Sequence, residues 1–529
     1  MTAVAAARER ELDGAQVRRL TSRSAAARAT TTLWTRLLDA WSAAATTAIG
    51  LAMLGGWLAS VRDTIGSRPP MPGSALPTGL TAAVVTVVAV AGLVGVLDRL
   101  GPVSASPAAA AWWLPLPASR RGLLRAELAR VAGACAGITA LLSLPLFLAW
   151  TARPSAGGIL LDVAGAGVTA AGLVGAVALL ETRGATSRVA PVAGAVAVTV
   201  SAAATVAAVV APFARAAADI PRRHLAPHGA PWVPGVAVAG AALAAAVLLG
   251  LADRGLGRLP ARTLRLSGST AQYAAASVLS LDTRDLGRAL AARRQRPVCR
   301  RWRFRSVTRA WQAVAAADLL LLARSPWQLG QLVVATAVPV LAARTDGLDR
   351  LPPAVWGGLL LGWALAAVSV GHPARHASAA PGIDRLLPLS PAQAVAAHCA
   401  VPAIALCMVA ATSGVLIGAG SGSALAWAGL GLAAVPAWTA AAVRGGYRPE
   451  LDWTGPVMST PMGTLPAGIG ATLVQGLDVG ILGSVPAIVA VHLGGAPSAG
   501  MIAAQLLWAL AVGAGGLALT VRRLTSAPD

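Results

Sequence analysis

The chain has 529 residues; 56% are hydrophobic, 12% are charged, mean hydropathy is +0.67 and the formal net charge is +22. Soluble domains are about a quarter charged, so a soluble multidomain protein and a disordered chain are both excluded. Several apolar runs reach the roughly 20 residues that cross a bilayer as a helix, and the expected fold is an all-α polytopic membrane protein.

All 43 basic side chains are arginine, and lysine and asparagine are absent. That bias, with abundant Ala, Gly and Pro, fits a very GC-rich bacterial genome and points to a bacterial cytoplasmic membrane. Without lysine there is no P-loop lysine and no Schiff-base lysine, so the chain cannot hydrolyse ATP by the usual route. Cys135, Cys299, Cys399 and Cys407 form no CxxC and read as reduced thiols.

The first 40 residues are charged before any apolar run. They read as a cytoplasmic segment with an interfacial helix, Thr32–Trp41, and not as a cleavable signal peptide. About twelve spans follow, near 41–61, 79–97, 127–150, 158–180, 189–212, 233–252, 327–344, 355–371, 394–417, 425–443, 479–495 and 499–521. With the N-terminus in the cytoplasm, 35 arginines lie inside and 8 outside, which predicts N-in and C-in. The spans fall into two six-helix halves, 41–252 and 327–521. A cytoplasmic linker, 253–326, joins them and includes a second interfacial run, Trp311–Trp327; a short tail, 522–529, closes the chain.

The linker carries ten arginines between Arg284 and Arg309 against one acid, Asp285. Within it Arg300, Arg301, Trp302, Arg303, Phe304 and Arg305 suit an anionic lipid surface, aromatics at the interface and guanidinium groups among headgroups. A nucleic-acid arm is the less favoured reading, and no nucleic-acid partner is expected. The halves share landmarks: Leu114-Pro115-Leu116-Pro117 aligns on Leu387-Pro388-Leu389-Ser390, each between the second and third spans of its half. Six spans per repeat keep both halves in one orientation.

Candidate chemistry is sparse. Leu266–Thr270 reads LSGST, superficially an ABC ATPase signature, but no phosphate-binding loop accompanies it. His224 with His228, and His372 with His376, have helical i,i+4 spacing; Pro227 and Pro373 between them predict loops, and no third ligand is near. His398 reads as a helix-contact residue. Glu127, Asp162, Glu181 and Asp478 are the acids nearest membrane depth, each within about a turn of a surface, with Arg130 or Arg125 available to Glu127. No metal, cofactor or catalytic residue is expected.

The proline-flanked apolar loop, followed by Ser119, Arg120 and Arg121, suits docking of a soluble partner: apolar anchors inside, charges at the rim. Each half resembles an ABC-2-type exporter permease, and the whole resembles the fused double permease of actinobacteria. The resemblance rests on the interfacial helix before the first span, on Leu114, Pro115, Leu116, Pro117, Ser119, Arg120 and Arg121, on Leu387, Pro388, Leu389, Ser390 and Pro391, and on Tyr447–Gly463. It implies a permease without its own ATPase domain, driven by a separate cytosolic ABC ATPase, two copies per chain, docked on the two loops. Half two has Pro391-Ala392 where half one has its arginine pair, so the two contacts are not equal. ATP would bind only to the partner subunit, and an apolar or amphipathic export substrate would suit a path lined by small side chains. The alternatives are a stand-alone twelve-span secondary transporter, which needs an ion-coupling charge near the midplane, a membrane-embedded transferase, and a scaffold that binds partners without transport.

Overall fold

A computed structural model describes residues 13–28, isolated positions from 32 to 56, 76–150, 155–185, 189–218, 233–279, 307–379, 386–419, 421–448, 457–460, 463–466 and 474–526. These form an all-α polytopic membrane protein with seventeen helices, ten of them long and apolar enough to cross a bilayer. In the first half the helices are α1 (Gly14–Arg28), α2 (Thr78–Leu100), α3 (Pro107–Trp112), α4 (Arg120–Trp150), α5 (Ala156–Thr182), α6 (Val189–Ala218), α7 (Val233–Gly255) and α8 (Ala261–Leu279). In the second they are α9 (Ala310–Ala323), α10 (Pro326–Arg344), α11 (Pro352–Val370), α12 (His372–Ala379), α13 (Pro391–Gly418), α14 (Ala424–Gly446), α15 (Leu477–Gly483), α16 (Val485–Leu493) and α17 (Ala499–Ser526).

Ten of the twelve expected spans coincide with long apolar helices. The expected first span, 41–61, falls mostly outside the described residues, and Cys299, Arg300–Arg305, His224 and His228 lie wholly outside them; of the run Thr32–Trp41, Thr32, Trp34, Thr35, Leu37, Leu38 and Trp41 are described, all but Thr32 helical. A further helix, α1, lies upstream of Thr32. A small departure from the all-helical expectation lies between α14 and α15. There β1 (Val457–Thr460) and β2 (Gly463–Pro466) pair antiparallel, β1 within the stretch that carried part of the family resemblance and β2 at its end and beyond.

The expected span 479–495 is not one helix. It divides at Ser484 into α15 and α16. Pro486, the second residue of α16, has no N–H, so the carbonyl of Leu482 loses its i→i−4 donor; the indole of Trp508 donates to it instead at 2.7 Å. One residue on, the Gln505 amide stands between the Gly483 carbonyl and the Ala487 N–H, donating to the first at 2.7 Å and accepting from the second at 2.8 Å. Ser484 donates to the Gly480 carbonyl and accepts from the indole of Trp438. Broken backbone at membrane depth persists only when its polar groups are satisfied by protein. Here Gln505 and Trp508 of α17, with Ser484 itself, do that, and Trp438 of α14 holds the Ser484 hydroxyl.

The helix pairing of one half recurs in the other. In the first, α4 packs on α5 and α5 on α7; in the second, α13 packs on α14 and α14 on α17. Likewise α1 lies on α4, and α9 on α13. Small residues set the closest approaches: a Cβ on Gly414 would meet the Trp427 carbonyl at 2.6 Å, so α13 and α14 touch backbone to backbone. Of all the spans, α14 is the most enclosed, and Trp438 on it meets Trp363 of α11 edge to face.

The core does not divide at the middle of the sequence. One cluster, around Leu124, Leu128, Val174, Val177 and Leu256, belongs wholly to the first half. The larger one takes in Trp363, Trp427, Leu430 and Trp438 of the second half, and with them Leu76, Val84, Ala204 and Ala208 of the first. The seam runs along α6 and α10, where Gly194 makes room for the Trp327 ring and Gly330 for Val198. It is tied at both ends. At one, the Arg99 guanidinium lies 4.7 Å from the Trp327 ring centroid. At the other, Leu76 exchanges backbone hydrogen bonds with Arg344 and Asp346, and the Thr81 and Thr345 hydroxyls meet at 2.7 Å.

Candidate functional site

The loop of the first half is built by proline. Ser106 caps α3 by accepting from Ala109 N–H, and Pro107 occupies the first turn, where a missing donor costs nothing. Pro115 and Pro117 then prevent the helix from continuing into α4. The resulting turn leaves Pro115, Leu116 and Pro117 exposed beside Trp112, which is 77% exposed. Leu114 is half-buried against the first-half core.

Behind this knob the polar residues are engaged inside the chain. Ser119 Oγ accepts from the Gly14 N–H of α1 at 3.1 Å. Arg120 donates to the Leu259 carbonyl at 3.0 Å, and Arg121 donates through Nε and Nη2 to Asp253 Oδ2, with Arg125 at 3.8 Å from the same carboxylate. The arginine pair therefore fixes the start of α4 to the end of α7. Arg121 keeps half its side chain in the open, but its head points inward, which the sequence did not show.

The second loop is simpler. Ser390 and Gln393 form a reciprocal capping box at the start of α13, with Pro391 in its first turn. Pro388, Ser390 and Pro391 are exposed while Leu387 and Leu389 are half-buried; the most exposed apolar side chain is Leu386, at 86%. Pro391 and Ala392 leave this loop without the arginine anchor of its counterpart.

Each loop is backed by a short helix, polar α1 in the first half and apolar α9 in the second. Arg18 of α1 reaches over α4, donating to the Leu123 carbonyl at 2.8 Å and to Glu127 Oε1 at 2.7 Å, and its guanidinium lies 5.4 Å from the Trp113 ring centroid. Glu127 also pairs with Arg130, one of the two partners expected for it. A side chain at Gly14 is impossible, since its Cβ would sit 2.1 Å from the Ser119 carbonyl oxygen. In the second half Asp318 of α9 meets His398 of α13, Oδ2 to Nδ1, at 2.7 Å, with both side chains 4% exposed. The Tyr447 ring stands edge-on to the imidazole. His398 is thus a satisfied contact residue. Asp318 was missed by sequence reading, although a lone acid inside AAADLLLL was the available signal.

His372 and His376 are not in a loop. Pro373 falls in the first turn of α12, where it is tolerated, so the two rings meet edge to face one helical turn apart with their Nε2 atoms at 3.2 Å. Among the described residues, no three His, Cys, Asp or Glu side chains are grouped to hold a metal ion. Burial, followed by the charge of His376 and of Arg375, lowers the His372 pKa to about 4. Because a base with a lowered folded pKa stays neutral while the unfolded chain takes up a proton, this residue makes the fold less stable as pH falls from about 6.5 to about 4. His372→Gln is therefore expected to flatten the decline of Tm across that window in detergent; an unchanged slope would contradict the burial of this imidazole.

LSGST, Leu266–Thr270, lies in the middle of α8, and its glycine has a packing reason: a Cβ at Gly268 would fall 1.6 Å from the Ala105 carbonyl oxygen. Of the other acids, Asp478 pairs with Arg444 at 3.2 Å and Glu181 is buried at the end of α5.

No curated protein and no solved structure matches the chain. A family model does, over residues 73–456, from the second span through most of the second half. With well over half its length matched, the chain belongs to DUF6297, a family of unknown function.

Proposed function

We propose that this chain is the transmembrane permease subunit of an ABC-2-type exporter in the bacterial cytoplasmic membrane, driven by a separate cytosolic ABC ATPase. The observation that carries the reading is the exposed apolar knob, Pro115-Leu116-Pro117 with Trp112, braced from behind by Ser119, Arg120 and Arg121. A rigidly backed apolar projection is what a docking partner needs as an anchor. The total absence of lysine agrees with it, because the chain has no P-loop lysine of its own.

In this mechanism closure of the ATPase dimer pushes the loops, and the braced helices α4 and α13 carry the displacement into the membrane. The chain then shifts between states with the α6–α10 seam closed or open, a population shift driven from the cytoplasm. The seam is lined by small and apolar side chains, which suits an apolar or amphipathic substrate. The unequal loops imply unequal contacts with the two ATPase copies: the first half provides the stronger anchor.

Affinity-purified chain is expected to retain an ATPase subunit that lacks membrane spans. Leu116→Asp should weaken retention by about 2 kcal/mol, roughly 30-fold, as a buried interface anchor does. Leu389→Asp, at a half-buried position, should weaken it less. Retention as tight as wild type by both variants would end the docking assignment.

A further inference from the structure

Two polar contacts occupy matching places in the two halves with opposite charge order. Glu127 lies seven residues beyond Arg120, the first residue of α4; His398 lies seven residues beyond Pro391, the first residue of α13. Each is bonded at 2.7 Å to a short helix packed on the loop helix of its own half, Glu127 to Arg18 of α1 and His398 to Asp318 of α9. In half one the cation is on the short helix and the acid on the helix after the loop. In half two the acid is on the short helix and the base on the helix after the loop.

From this juxtaposition we infer that Arg18–Glu127 and Asp318–His398 are one junction built twice with reversed polarity, each seating an interfacial helix on the loop helix of its own half. The reversal matters because the halves share their helix pairing and each has a seat for such a helix. Asp318 placed against Glu127 would set two carboxylates together, and Arg18 placed against His398 would face a base instead of a carboxylate. Like charges at a contact raise the free energy of the wrong pairing without adding anything to the right one. Each helix is therefore keyed to one seat. The keying does not depend on the exporter reading, since no ATPase takes part in it.

The junctions also differ in burial, 23% and 14% exposed for Arg18 and Glu127 against 4% for both Asp318 and His398. A broken contact in the second half should therefore do more damage. Arg18 has further bonds to Leu123 and to Trp113, which will hold part of the first junction when Glu127 is changed.

The test is hydrogen–deuterium exchange of the purified full-length chain in detergent, read over residues 14–28 and 310–323. Asp318→His or His398→Asp alone should raise exchange across α9, and the double exchange of partners should restore protection. Transplanting the second pair into the first half, Arg18→Asp with Glu127→His, should protect α1 better than Arg18→Asp alone, in which two carboxylates face each other. If either double variant exchanges as fast as its single variants, or fails to fold where the singles fold, the shared junction is wrong. Restoration in both halves supports it whether or not the chain retains an ATPase.

Discussion

Gln505→Leu should destabilise the folded chain by about 2–5 kcal/mol, because it removes one amide that satisfies two backbone groups at membrane depth. Leucine keeps the volume and the apolar surroundings, so the loss is not one of packing. It leaves the Gly483 carbonyl and the Ala487 N–H facing an apolar side chain that can neither donate nor accept. A single unpaired buried group costs about 1–3 kcal/mol, and there is no water in the bilayer core to replace the partner. Trp508→Phe removes a single bond, the one to the Leu482 carbonyl, at an exposed indole, and should cost less. Thermal unfolding of the detergent-solubilised chain ranks the two. Equal midpoints for Gln505→Leu and wild type would show that α15 and α16 can close into one helix at no expense, and the interruption would lose its significance.

The second large effect is expected at Gly268. Alanine there adds a Cβ that must clear the Ala105 carbonyl oxygen, 1.6 Å away, and the Ala105 carbonyl carbon, 2.5 Å away. Both are backbone atoms in a segment held between α2 and α3, so no side-chain rotation relieves the clash. Helix α8 has to lift from α2 and α3, exposing Leu264 and Ala105, which are buried in the native packing. Overpacking of this kind costs about 1–3 kcal/mol, and more where the obstruction is main chain. Gly257→Ala is the control, since nothing lies within 4 Å of its added carbon. The readout is protease sensitivity of the 261–279 segment in the intact chain. If Gly268→Ala is as resistant as Gly257→Ala, the close packing of α8 is wrong.

Gly268 also shows how a short motif misleads. As letters, LSGST suggests nucleotide chemistry; as a helix, it places a glycine where a carbonyl passes. Positions set by such backbone approaches carry no signal in a single sequence, because the neighbour that demands the glycine lies 163 residues away in the chain. The same holds for Arg120 and Arg121. Their charge marked a surface, and only the fold shows that they reach Leu259 and Asp253. His372 and His376 fail in the other direction: a proline between them argued for a loop, yet in the first turn of a helix proline is harmless.

Hydropathy alone determined the class of the molecule and the places of ten of its membrane helices, because twenty apolar residues in a row have few alternatives in water or in lipid. The two loop motifs were equally legible, since proline acts within a few residues; a helix was also expected before α10, but the one found there, α9, is apolar and not amphipathic. What hydropathy could not see was the interruption at Ser484, for the residues on both sides are as apolar as any continuous span. That break is held open by Gln505 and Trp508, about 20 residues further on, and by Trp438 on another helix. Nor could it find the Asp318–His398 contact or the passage of α2 and α6 into the core of the second half. Local sequence decides which segments become helices; which faces meet, and which polar groups find each other there, depends on contacts between residues far apart in the chain, and these the tertiary structure alone decided.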